Sequence, residues 1–316
     1  MARQRMTLAK REWQALEEAH RQRADELTAE HRARAARGEK HPVWDFLFTY
    51  YSYKPSQLRR WHPGAGVELR HAPERLGWRW YRAGSDETSA VPDAFAFATE
   101  KPELAGLIER MLRRTASRPG QFGCFGLHEW AMVYRADEHR HPVPLRLGQS
   151  ATDAVVDSHD LRCTHFDAFR FFTPEAVPRN RAALDRHSQP LFEQPGCLHA
   201  GMDLYKWAMK LGPLVPGDLM LDTFELARDI RLLDMQAAPY DLAAWDVAPV
   251  TIETADGKAE YVRRQRSFAE RGAVLRTRLL TAWLGQDAGS HSPQGAHTAS
   301  AAAISSRSVS TRSAAC

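Results

Sequence analysis

Residues 197–235 read CLHAGMDLYKWAMKLGPLVPGDLMLDTFELARDIRLLDM. Two apolar-rich runs of helical length, 197–211 and 218–235, flank GPLVPG, whose glycines and prolines predict a helix-to-helix turn. At about 100° per residue, His199, Asp203, Lys206 and Lys210 fall within about 60° of one another on the first run. Leu198, Met202, Leu204, Tyr205, Trp207, Met209 and Leu211 occupy almost everything else. A surface helix carries a wide polar face, so this narrow one predicts a mostly buried helix lining a cleft, with Asp203 as a partner for His199 at i, i+4. The alternative is a shallow surface groove in which His199 and the lysines reach water.

On the second run Asp218, Asp222, Glu225 and Asp229 align like a row of metal-binding carboxylates. Arg228 and Arg231 widen the same side, opposite Leu219, Met220, Phe224, Ala227 and Ile230, so a solvated amphipathic face accounts for the row. Asp234 departs from that pattern, because the helical wheel puts it in the apolar arc. An acid there is either met by a basic partner or held with a raised pKa, both frequent at catalytic sites, unless the helix has already ended at Leu233.

Working outward, residues 8–37 are charged, free of Pro and Gly, and predict a long helix closed by Gly38, lying on the body with a thin stripe of Leu8, Trp13, Leu16 and Leu27. Residues 41–58, HPVWDFLFTYYSYKPSQL, hold six aromatics in a helix that Pro55 stops or restarts. Short strands are expected in 67–84 and a helix over 101–114, begun by Pro102 and Glu103. In CTHFDAFRFF (163–172), alternation places His165, Asp167, Phe169 and Phe171 on one face of a strand. A hairpin is expected around Asp256-Gly257, then a last helix over 262–284. Beyond Gln286 the Ser/Ala/Gly-rich sequence predicts a disordered tail.

The expected class is mainly helical α+β: a charged N-terminal helix (1–37), one globular domain (38–286) and the tail (287–316). The chain has 316 residues, 43% hydrophobic and 26% charged, enough for a sizeable core. No apolar run approaches the roughly 20 residues of a membrane span, and without an h-region after the basic start a cytoplasmic location is expected. Four scattered cysteines give neither a disulfide framework nor a thiolate zinc site. Residues 1–40 hold ten Lys/Arg against seven Asp/Glu, so the formal charge of +4 sits mostly at the ends and leaves DNA binding open.

Twelve of the fourteen histidines precede residue 200. His41 with Asp45, His128 with Glu129, His165 with Asp167, and His199 with Asp203 pair histidine and carboxylate at four places. That pattern suits a metal-dependent oxidoreductase, with iron or another transition metal held among His41, His128, Glu129, His165, Asp167, His199 and Asp203. The Glu-x-x-His pairs of helical di-iron proteins are absent, as are nucleophile elbows, Walker loops and HExxH.

The blocks HPVWDFLFTYYSYKPSQLRRWHPG, GLHEWAMVYR, THFDAFRFF, CLHAGMDLYKWAMKLGPLVPGDL and FELARDIRLLDMQAAPYDL resemble an actinobacterial family commonly labelled 3-methyladenine DNA glycosylase. The resemblance implies DNA as partner, no cofactor, and hydrolysis of the N-glycosidic bond of an alkylated base. Such chemistry needs rings to stack the extruded base and a carboxylate for an oxocarbenium-like sugar. Trp44, Phe46, Tyr50, Tyr51, Tyr53, Trp130 and Trp207 are candidates for the rings, with Lys206 beside them. Asp234, Asp203 and His199 are the candidate catalytic residues, Asp45 a further acid, and Lys54, Arg59 and Arg60 candidate phosphate contacts. A third alternative is a non-enzymatic interaction protein.

Overall fold

A computed structural model describes residues 6–139 and 142–284. The architecture is mainly helical α+β, as the residue pattern predicts. The expected tail lies outside the described residues.

The chain begins with strand β1 (Met6–Leu8) and the long helix α1 (Lys10–Ala36), which ends before Gly38 at φ +71°. The seam of α1 differs from the expected stripe. Leu8 belongs to the strand and Leu16 is 48% exposed, while Trp13, His20, Ala24 and Thr28 are buried. His20, Ala24 and Thr28, small or polar residues four apart, let α1 lie close on its neighbours. The aromatic block forms two short helices, α2 (Phe46–Tyr50) and α3 (Pro55–Leu58), the second restarted by Pro55 at its first turn.

Three more strands, β2 (Val67–Leu69), β3 (Tyr81–Ala83) and β4 (Ala90–Pro92), complete a small sheet in the order β1-β2-β4-β3. β1 runs parallel to β2 with Met6 opposite Val67, and the other pairs are antiparallel. Helices α4 (Ala94–Glu100), α5 (Pro102–Ala116), α6 (Leu127–Ala131), α7 (Gly148–Asp157), α8 (Phe166–Phe169) and α9 (Gln189–Phe192) follow, joined by turns. α10 (Leu198–Leu211), α11 (Gly217–Gln236) and α12 (Ala255–Leu284) pack on one another around the main apolar core. A Cβ on Gly201 would meet Ile230 Cδ1 at 2.7 Å, which is why α10 and α11 can approach so closely.

Two expectations are corrected. CTHFDAFRFF is not a strand: after extended His165 it turns into the single helical turn of α8. Strand preference depends on a neighbouring strand, and here Ala168 and Phe169 bury themselves without one. The segment around Asp256-Gly257 is not a hairpin but the first turn of α12. Thr254 Oγ1 accepts from Gly257 N at 3.0 Å, capping the helix, and Asp256 sits in its first turn. Among the described residues no helix is long and apolar enough to cross a membrane.

Candidate functional site

The polar stripe of α10 faces inward. His199 and Asp203 are buried, although they stand on a helix whose other residues are nearly all apolar. They meet histidines delivered by two short elements, α6 with His128 and the residue preceding α8, His165. The ring of His199 lies between these two, edge-on to His128 at 4.5 Å and stacked over His165 at 5.2 Å.

Each flanking histidine is held by a carboxylate. His128 Nε2 is 2.8 Å from Asp234 Oδ1, across 106 residues of sequence. Asp234 is 0% exposed, and its Oδ2 accepts from Arg231 Nη1 at 2.8 Å. The same guanidinium donates to Glu129 at 3.2 Å and lies 3.8 Å over the Phe46 ring. On the other side His165 Nδ1 is 3.0 Å from Glu193 Oε1, off the line of a hydrogen bond, and His165 Nε2 is 3.9 Å from Asp203 Oδ2. Tyr51 donates to Asp203 Oδ1 at 2.8 Å, Lys206 pairs with Asp203, and Gln189 donates to Glu193 at 2.6 Å. The ligand-type atoms thus gather into two buried groups, His128/His199/Asp234 and His165/Glu193/Asp203, each with its atoms within 4.8 Å of one another.

Burial alone would lift the Asp234 pKa, but His128, His199 and Arg231 overrule it and hold the carboxyl below its ordinary range. Asp234 therefore has basic partners and not the raised pKa weighed as an alternative. Burial pushes His128 and His165 down, yet Asp234 and Glu193 respectively outweigh it and raise both. Burial and the neighbouring His128 drive His199 well below the usual imidazole range, so it is a neutral ring. Burial works against the Lys206 ammonium, and Asp203 more than compensates.

The remaining candidates fall outside this cluster or at its edge. Tyr50 is half-buried against Tyr51 at 4.9 Å, and Tyr53 stands by Tyr205. Asp167 lies at the rim, 3.8 Å from Lys206. Trp207 is buried under Lys206 Nζ at 4.4 Å. Trp130 is a correction: it is wholly buried, donates to Ala237 O at 2.8 Å and packs in the core, so no ring face is left for a ligand. His41 is another: its Nδ1 accepts from the Val43 and Trp44 amides while its own amide donates to Asp45, which also takes His31 and Arg34. That is a turn lock, not a ligand pair. Lys54, Arg59 and Arg60 are exposed, and Arg59 is paired with Asp25.

The acidic row of α11 is also more than a solvated face. Asp218 and Asp222 bind Arg278, Asp222 and Glu225 bind Arg23, and Asp229 binds Arg271, lacing α11 to α1 and α12. Arg231 does not belong to that face; it is buried at the site.

Glu193, Arg231 and Gln189 are site residues that sequence reasoning missed. The available signal for Arg231 was its i, i+3 spacing to Asp234; Glu193 sits in a short loop-like segment with none. A recess of about 10 Å3 opens beside His128 and His199, with Cys124, Cys163 and Cys197 on its walls. No family model, no curated protein and no solved structure matches this chain.

Proposed function

We propose that the chain is a metal-dependent enzyme, an oxidoreductase of the non-haem iron kind, with His128, His199 and Asp234 as the ligand set. The carrying observation is convergence: His128, His199 and Asp234 come from three separate helices, are all buried, and place their ligand-type atoms within 4.8 Å of one another. Two imidazoles with one carboxylate are a donor set for divalent transition-metal ions. The fit is supported by His199, whose pKa is driven well below the usual imidazole range and which, among the described residues, has ring contacts but no hydrogen bond.

An ion held here would supply Lewis acidity or a redox-active centre. The chain's own groups do the rest. Arg231 fixes the orientation of Asp234, the outer support that a metal ligand requires, and Tyr51 and Lys206 fix Asp203 in the neighbouring group. The recess beside His199 has room for about one water-sized molecule, which suits water or dioxygen as co-substrate.

The second reading is the DNA glycosylase, with DNA as partner. Tyr51, which donates to Asp203, has Tyr50 against its ring, which favours it; the small recess favours the first reading. Elemental analysis of protein purified without chelator separates them. The metal reading expects about one equivalent of a divalent transition metal, lost in Asp234→Asn and His199→Ala, and less than about half an equivalent overturns it. The glycosylase reading expects metal-independent release of methylated adenine from alkylated duplex, abolished in Asp234→Asn.

A further inference from the structure

A cleft of about 320 Å3 lies between α1, α2 and α11, with Arg231 in its lining. That volume is at the lower end of small-molecule clefts. Part of its wall is ring surface, from His31, Trp44, Phe48 and Phe224. Trp44 is half-buried there, and His31 stacks on Phe48 at 3.9 Å with the planes 14° apart.

Three arginines line the cleft and have unused donors. Arg231 is more than nine-tenths buried, spends Nη1 on Asp234 and Glu129, and leaves its Nε–H without an acceptor. Arg34 spends Nη2 on Asp45 and likewise leaves a buried Nε–H unmatched. Arg228 has a single 3.9 Å contact, to Asp229, whose Oδ2 is already taken by Arg271 at 2.8 Å. Buried N–H groups are nearly always paired in folded proteins, so two unmatched donors on one cleft are a demand for acceptor atoms. The acids of the cleft do not meet it: Glu26 and Glu30 are exposed on α1, Glu30 reaching only Arg34 Nη1 at 3.8 Å, and Asp229 is held by Arg271.

We infer that this cleft binds a planar aromatic anion, its carboxylate or phosphate on Arg231, Arg34 and Arg228 and its ring against Trp44 and Phe48. The inference rests on the metal-dependent reading only for its consequence: Arg231 lines the cleft and holds Asp234, so occupancy of the cleft bears on that centre through this guanidinium. A carboxylate and a phosphate offer the same charge and acceptor geometry to guanidinium groups, and the two probe types tell them apart.

The test is calorimetric titration of the full chain, as purified, with naphthalene-2-carboxylate and 1-naphthyl phosphate, and with naphthalene-2-methanol as the uncharged counterpart. One site for at least one anion is expected, with the alcohol bound about tenfold more weakly or not at all. Arg228→Gln and Trp44→Ala, both at the accessible rim, should each weaken the anion about tenfold. Equal binding of the alcohol, no anion binding, or anion binding untouched by both substitutions overturns the inference. Metal content measured on the same samples keeps the two ideas separate. Metal without anion binding sinks only the cleft, and anion binding without metal sinks only the metal centre.

Discussion

Replacing Arg231 by methionine removes one guanidinium and strands two buried acids unequally. Asp234 keeps His128 at 2.8 Å, whereas Glu129, 6% exposed, loses its only ion-pair partner among the described residues. Methionine matches the length and apolar stem of arginine, so packing against Phe46 changes little and the cost is electrostatic. Breaking a buried pair from one side costs about 3–5 kcal/mol, a large share of the roughly 5–15 kcal/mol that holds a domain folded. Glu129→Gln alone should cost only about 1 kcal/mol, because Arg231 still has Asp234. The double variant should then be about 2 kcal/mol more stable than Arg231→Met alone, since the stranded charge is gone. Urea unfolding near neutral pH, in chelator so that bound ions do not mask the difference, reads all three. A loss under about 1 kcal/mol for Arg231→Met, or a double variant no better than the single, would refute the claim that this guanidinium neutralises both acids.

Other consequences are simpler to test. His62, beside Arg75 and Arg60, has its pKa brought down from 6.5 to about 3, with burial as the largest cause. Between those values the unfolded chain holds the extra proton, so stability rises with pH, and acidifying from about pH 7 to about pH 5 costs about 2 kcal/mol through this residue. His62→Gln, which still offers Tyr81 an acceptor, should shrink the pH-dependent drop in urea midpoint; an unchanged drop contradicts the assignment. Arg278→Gln removes exposed pairs to Asp218 and Asp222 and should cost no more than about 1 kcal/mol by thermal unfolding. Gly257→Ala places a methyl 2.0 Å from Thr251 O and should cost about 1–3 kcal/mol, seen as a lower melting temperature. His41→Ala should leave metal content at the wild-type value, because that ring locks a turn; loss of metal in it would move the centre elsewhere.

The helices were legible wherever one residue pattern ran for three turns or more. The buried character of α10 followed from a polar stripe too narrow for a surface helix, and its pairing with α11 from the Gly/Pro turn between them. Short elements were not legible, because their form is decided by neighbours. The aromatic run around α8 has the composition of a strand but no strand beside it, and Asp256-Gly257 has the composition of a hairpin turn but follows a capping threonine. Dipeptide chemistry alone does not distinguish a turn that reverses the chain from one that starts a helix.

For the site, the sequence located the acids and histidines on α10 and α11 but not their partners. An Asp on an apolar arc announces that something basic must come to it; periodicity says nothing about which of many candidates arrives. His128 reaches Asp234 from a five-residue helix 106 positions away, and Glu193 reaches His165 from the end of another short helix. Neither α6 nor α9 is long enough to carry a hydrophobic period that fixes its facing. Both are carried by packing outside the α10–α11 pair, α6 against α7 and α9 against α5. A buried polar strip on a long helix therefore predicts its partners by chemistry and not by position: the acids are met by Arg231, Lys206, His128 and His165, from four separate places in the chain.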